Sequence, residues 1–295
     1  MNREHAIISL YVTIDAACEA VTKGQKLRRR GPQPALTDAE ILTIEIFGEM
    51  QGHHDGAAIW RYAKAHWQEW FPGLGSYKAF VKQCANLAHI KQLIFAHLFE
   101  PQDDVHITDG VPMPICHLAR ASRSKLFKGE AAFGFCAAKD EHYYGFKGHV
   151  IINMNQQVVG FTLAPANVDE RDVLDNMRGV LSGLLIGDKG LLSKTKQAEL
   201  ATDLIDLQTP LRDNMHDPRP KSAVQRLLNV RRRVETAIGQ LVEFFDFASC
   251  KARDLWHLAS KLVRKLLAYN LAISLSLIHI SEPTRRTPIS YAVFC

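Results

Sequence analysis

From the N-terminus to about His97, apolar residues recur at intervals of three and four with few β-branched runs, which predicts a helical region. Thr37 or Asp38 stands where an N-cap would open a stretch carrying Ile41, Leu42, Ile44 and Ile46. Trp60, Tyr62, Trp67, Trp70 and Phe71 crowd the segment before the turn signal Pro72-Gly73, and their spacing reads as core packing. After Pro101 the pattern shortens to strand-like runs at Val105 to Thr108, Ala132 to Ala138, Phe146 to Asn153 and Val158 to Leu163. A helical pattern follows from about Asp172 to Leu184, then a strand at Leu184 to Gly187, a helix near Lys194 to Ala201 and a strand at Leu204 to Leu207. Two helices close the pattern on either side of Ser249. In the first, beginning near Ser222, Leu227, Val234, Ile238, Leu241 and Phe245 form one apolar stripe.

Strands first, then strand and helix alternating, is a mixed-sheet α/β order, and it matches the element order of the ribonuclease-H-like fold. The expected organisation is an all-helical N-terminal domain over 1–100, a mixed sheet flanked by helices over 101–275, and an atypical tail over 276–295. That tail resembles translated sequencing-adaptor read-through. The apolar run Leu266 to Ile278 contains Tyr269 and Asn270 and falls short of the roughly twenty apolar residues a bilayer requires, so it predicts a buried helix and no membrane partner.

Charge changes this picture through its placement. The chain of 295 residues carries a formal net charge of +5. Lys23 to Arg30 contains Lys26, Arg28, Arg29 and Arg30 and no acid, while Arg212 to Arg233 holds seven cations against two acids. Such stretches suit a polyanion such as nucleic acid, although on charge alone a solvated face is the commoner meaning. Six scattered cysteines without a C-x-x-C pair or a secretory leader fit a reducing cytoplasm.

Three carboxylates stand where secondary structure would bring them together. Asp109 is expected to end the strand that starts at Val105, with Gly110 as a turn, and Asp188 to end the strand that starts at Leu184. If these strands are parallel neighbours, their carboxyl ends coincide, where open α/β sheets place their sites. Glu235 follows Val234 of the apolar stripe and flanks the core-facing side of its helix. Two aspartates and a glutamate are hard oxygen ligands that suit two Mg²⁺ or Mn²⁺ ions about 3.5 to 4 Å apart, the arrangement that catalyses in-line phosphoryl displacement.

The segments ITDGVPMPIC (107–116), IGDKGL (186–191) and RRRVETAIGQL (231–241) resemble the three catalytic motifs of bacterial insertion-sequence transposases, specifically the insertion sequence 982 group. The likeness runs to about Leu275 and includes YYGFKGHVIIN and APANVDERDV. It implies a ribonuclease-H-like catalytic core, divalent-metal dependence with Asp109, Asp188 and Glu235 as ligands, and recognition of terminal inverted repeats in double-stranded DNA. Arg231 matches the arginine that related families place in the third motif. Leu228 stands where those relatives have tyrosine and Val242 where they have lysine, so their further phosphate contacts do not carry over.

Other residues weigh less. Lys189 could hold a phosphate beside Asp188, and Lys147 and His149 alternate on one strand face that would suit DNA contacts. Arg231 and Arg232 would neutralise phosphates together with the rest of the basic helix. His53-His54-Asp55 lacks a second ligand cluster with zinc spacing and reads as a loop. The expected activity is cleavage at element ends followed by strand transfer into target DNA by a DNA-bound homodimer in the bacterial cytoplasm at the nucleoid. A metal-dependent nuclease of the same fold and an inactive DNA-binding remnant are the alternatives.

Overall fold

The computed structural model describes residues 3–25, 33–137, 140–212, 214–249 and 251–280. In chain order the elements are α1 (Arg3–Thr22), α2 (Asp38–Met50), α3 (Gly56–His66), α4 (Tyr77–Asn86), α5 (Ala88–Leu98), β1 (Val105–Cys116), α6 (Leu118–Ala121), β2 (Ala132–Cys136), β3 (Glu141–Ile152), β4 (Val158–Pro165), α7 (Glu170–Asp175), β5 (Gly183–Ile186), α8 (Lys194–Thr202), β6 (Ile205–Gln208), α9 (Lys221–Phe245) and α10 (Leu255–Ile280). They divide into a helical unit, comprising the chain up to Leu98, Glu243–Phe247 and the chain from Leu255, and a sheet unit, Phe99–Val242 with Ala248–Asp254.

The helical unit is built around α2. Thr37 opens it with a capping box: its hydroxyl accepts from the Glu40 N–H while the Glu40 carboxylate accepts from the Thr37 N–H. From Ile41 to Met50 every α2 residue is buried, as expected of a helix enclosed on all sides. α1 is long and apolar enough to cross a bilayer by length and composition, but Ile7, Leu10 and Ile14 are buried in packing with α2 and α5.

Enclosing α2 also encloses two of its acids, Glu45 and Glu49, which lie one turn apart. Buried charges persist only when paired and hydrogen-bonded. Lys91 of α5 donates to both Glu45 oxygens at 3.1 and 2.9 Å. Arg264 of α10 donates from Nε to Glu49 at 2.7 Å and from Nη1 to Glu45 at 3.3 Å. Lys265 reaches Glu49 at 2.7 Å and the Phe245 carbonyl at 2.6 Å, and His54 Nδ1 meets Glu49 at 2.7 Å. The His53-His54-Asp55 loop thus serves packing, with Asp55 capping α3. These contacts place α10 with the N-terminal helices, so the sheet unit closes at Asp254, earlier than the boundary at 275 that the pattern suggested. The reason is physical: α10 brings the counter-ions that α2 requires, and Leu262, Leu266 and Leu267 are buried beside them.

The sheet unit is a mixed α/β layer. β3 pairs antiparallel with β1 on one edge and with β2 and then β4 along the other; β5 pairs parallel with β1, and β6 parallel with β5. One face carries Ile151, Leu185 and Leu207 against Leu174, Met177, Leu191 and Leu200. In α9 the fully buried stripe is Val234, Ala237, Leu241 and Phe245, while Leu227 and Ile238 are half-buried. The helix expected from Asp172 to Leu184 is shorter than its pattern. α7 ends at Asp175, and Gly183 begins β5 at φ +69°, where a Cβ would run into the Asp104 carbonyl, a position closed to any side chain.

The Glu49 cluster yields the first prediction. Burial pushes the Glu49 carboxyl up, but Arg264, His54 and Lys265 outweigh it and hold it down at about 2, against an ordinary 4.5. A depressed folded-state pKa means the unfolded chain takes up the proton first, so this contribution to stability is complete above 4.5 and is lost as pH falls toward 2. Denaturant unfolding of the full chain followed against pH will show that loss, and Glu49→Gln will lose about 3–5 kcal/mol at neutral pH and flatten the acid limb.

Candidate active site

Two strands and one helix bring the three acids together. β5 runs beside β1 only for three pairs, Val105 with Leu184 through Ile107 with Ile186. Beyond that point β5 stops and Asp188 follows two residues later. β1 does not stop: it continues to Cys116 because β3 supplies an antiparallel partner along nearly its whole length. Asp109 is therefore a mid-strand residue, and Gly110 is paired with His149; the turn expected at Gly110 does not exist. Pro112 and Pro114 are tolerated because this half of β1 has lost its β5 neighbour.

Asp109 sits at the position where one side of β1 becomes open. Asp188 adjoins the same opening, and Arg231 of α9 enters it. The Arg231 Nη2 lies 3.1 Å from Asp188 and 3.6 Å from Asp109, while Nη1 donates to Glu235 at 2.6 Å, one helical turn on. One guanidinium thus gathers all three acids. Glu235 is the most exposed of them, with its side chain 48 % accessible.

Asp109 titrates at about 6, above the ordinary 3.8. Burial is the main cause, the Gly110 N–H and Arg231 oppose it, and Asp188 and Glu170 add to it. Glu170 is a fourth carboxylate at this place, and its own residue pattern gave no sign of it. It opens α7 behind the N-cap Asp169 and pairs with Lys147 at 3.0 Å. A Cβ on Gly110 or on Gly190 would each come within 3.2 Å of its oxygens, so it nests between the residues that follow the two aspartates. The only signal in the sequence was its position within APANVDERDV. Thr108, Asp109, His149, Glu170 and Asp188 line a cavity of about 10 Å³, the size of one water.

The residues expected to hold DNA scatter. Strand alternation puts Lys147 and His149 with Gly110, on the sheet face opposite Asp109. His149 is buried, with burial pulling it down to about 4 before the smaller effects of Glu170 and Lys147, and Lys147 is engaged by Glu170. His149 is buried and Lys147 half-buried, with Glu170 of α7 against the lysine. Lys189 lies in the 3-10 turn after Asp188, and Arg232 is exposed on α9. Within the basic stretch, Arg219 is tied to Asp217, Gln208 and the Thr209 carbonyl, and Arg233 to the Met154 carbonyl. Arg212, Lys221, Arg226 and Arg232 are left exposed. Lys26, Arg28, Arg29 and Arg30 lie outside the described residues.

The donors at the opening are hard carboxylate oxygens, the set that a Mg²⁺ or Mn²⁺ ion takes. Arg231 already places a positive charge between Asp109 and Asp188, so a cation fits there by charge and position. With Arg231 so placed, no three acidic, histidine or cysteine side chains among the described residues converge closely enough to hold an ion by themselves.

A mixed sheet with acids gathered at the carboxyl end of its parallel pair defines an α/β protein with a carboxylate-centred site. Residues 100–254 match the model of the transposase DDE domain, and the chain belongs to that family. A comparison with curated protein sequences finds no match. Among solved structures, the chain is similar to piggyBac transposase in a cryo-EM structure of its synaptic complex with hairpin DNA, with a TM-score of 0.53 at 6% identity, covering 95% of this chain and 74% of that one. At that identity the likeness is one of fold.

Removing the shared cation gives the second prediction. Arg231→Ala will bind Mn²⁺ several-fold more tightly than the parent in calorimetric titration, because the ion no longer competes with a tethered charge for Asp109 and Asp188. Unchanged or weaker binding would show that the three acids do not form one cation site.

Proposed function

We propose that the chain is a DNA transposase of the insertion sequence 982 group that cleaves the ends of a bacterial insertion sequence and joins them to target DNA. The observation that carries this reading is the convergence of Asp109, Asp188 and Glu235 on one guanidinium at the end of the β1–β5 pair. The strand arrangement supports a ribonuclease-H-like core, with an antiparallel β3 and β4 on one side of β1 and parallel β5 and β6 on the other. Membership of the DDE family supports the chemistry.

In this reading Asp109, Asp188 and Glu235 hold two divalent ions, Mg²⁺ or Mn²⁺, which supply Lewis acidity and an activated nucleophile for in-line phosphodiester attack. The chain's own residues do the rest. β1 holds Asp109 within the sheet, the turn after β5 holds Asp188, and α9 carries Glu235 to them. Arg231 has a planar fork that matches phosphate oxygens as well as carboxylates, so it can turn from the acids to the scissile phosphate. Arg212, Lys221, Arg226 and Arg232 neutralise backbone phosphates, contacts that position a duplex without reading its sequence. Lys26, Arg28, Arg29 and Arg30 extend the same role toward the element's terminal repeats. Pairing two ends in one reaction calls for at least a homodimer on DNA, acting in the cytoplasm at the nucleoid.

The test is Mg²⁺-dependent cleavage and joining of labelled element ends by the full chain. Asp109→Asn, Asp188→Asn and Glu235→Gln will each bind DNA as the parent does and lose roughly 10²–10³-fold or more in rate. Cleavage that survives all three changes removes the catalytic assignment. Cleavage without joining, when a pre-cut end is supplied, identifies a nuclease instead.

A further inference from the structure

The side chains of β3 divide between the two faces of the sheet, and the division gives the face of Asp109 a second feature. Asp109 is opposite Val150, so Gly148, Phe146, Tyr144 and His142 follow on the same face. β2 extends that face: Phe133 pairs with Tyr144 and Phe135 with His142. Their rings lie 5.0 Å apart in both pairs, forming a short aromatic ladder. Unlike the other aromatics of this face it is open, with Phe133 55 % and Phe135 47 % exposed. Two large rings held in water on neighbouring positions of one strand face mark a binding surface more than an accident of composition.

The segment between β1 and β2 supplies the matching charge. Phe127 is buried edge-on against Phe146, with ring centroids 5.3 Å apart, and so pins this segment to the same face. Around that anchor Arg120, Arg123, Lys125 and Lys128 are all exposed, and no ion pair engages any of them among the described residues. Cations that track a backbone, beside aromatic faces open to stacking, are the two elements by which proteins hold unpaired nucleotides. A paired duplex hides its base faces and could use only the charges.

We propose that Phe133 and Phe135, with His142 beside them, stack unpaired bases of a DNA strand whose phosphates are held by Arg120, Arg123, Lys125 and Lys128. The surface lies on the face of Asp109 and further along the same strands, so a strand end held at the acids has an unpaired continuation to place there. That destination rests on the proposed DNA chemistry; the stacking itself does not.

The experiment compares binding of the full chain to two fluorescent DNAs, a blunt duplex and the same duplex with a short single-stranded extension carrying 2-aminopurine. The parent will bind the extended DNA more tightly and quench 2-aminopurine. Phe133→Ala and Phe135→Ala will each lose roughly tenfold on the extended DNA and the quenching with it, and remain within about twofold on the blunt duplex. Phe133→Tyr, which keeps a ring, will retain both. Equal losses on the two DNAs, or parent binding indifferent to the extension, would overturn the proposal. Failure of the catalytic reading is separate: Asp109→Asn would then cleave like the parent, whatever the extension does.

Discussion

Three carboxylates held at one point repel one another, and the sheet unit is arranged around the cation that answers this. At an effective dielectric constant of about 20, two like charges about 4 Å apart oppose each other by on the order of 4 kcal/mol, a large share of a domain's net stability. Arg231 supplies the counter-charge from α9, whose Val234, Ala237 and Leu241 are buried. Its Nε is buried without a partner, a cost that only a side chain committed to this position would carry. The rise of Asp109 to about 6 shows that the compensation is incomplete: burial and the neighbouring acids still outweigh the Gly110 N–H and Arg231. A site left short of positive charge is one that a divalent ion would complete.

The helical unit handles buried charge in the opposite way. Glu45 and Glu49 are enclosed, but Lys91, Arg264, Lys265 and His54 satisfy their oxygens several times over, and Glu49 is driven down to about 2. Both clusters consist of acids answered by arginine or lysine. They differ in access and in surplus: the first is closed and saturated, which suits a structural tie between α2, α5 and α10, whereas the second is half-open and undersupplied. The direction of the carboxyl shift follows that difference, down at Glu49 and up at Asp109.

Much of this was legible in the sequence, for identifiable reasons. The N-cap at Thr37 and most of the apolar stripe of α9 follow from local patterns that the tertiary structure kept, and the parallel pairing on which the meeting of Asp109 and Asp188 was conditional is present. The length of β1 was not legible, because Gly110, Pro112 and Pro114 are turn residues by propensity and only a long antiparallel partner makes them strand residues. The placement of α10 was hidden for a related reason: its cations find their acids more than two hundred positions away. Glu170 escaped notice because a glutamate at the start of a short helix looks like a dipole partner until Gly110 and Gly190 are seen against it.

Register decides which of these residues meets DNA in the proposed reading. On β3, Lys147 and His149 are charged or polar and alternate, so sequence alone makes them attractive contacts, yet one residue of phase puts them on the face of Gly110 and Glu170. His142 and Tyr144, in the other phase, share the face of Asp109. That phase is enforced at Gly145, where a Cβ would run into the Met113 carbonyl and the Pro114 backbone, so a residue with a side chain is disfavoured there. A slip of one position would bring Tyr144 or Phe146 to that contact and would exchange the two faces along the strand. The close approach at Gly145 therefore does more than join β1 to β3: it fixes the phase that places Asp109 and the exposed aromatic ladder on one face of the sheet and Lys147 on the other.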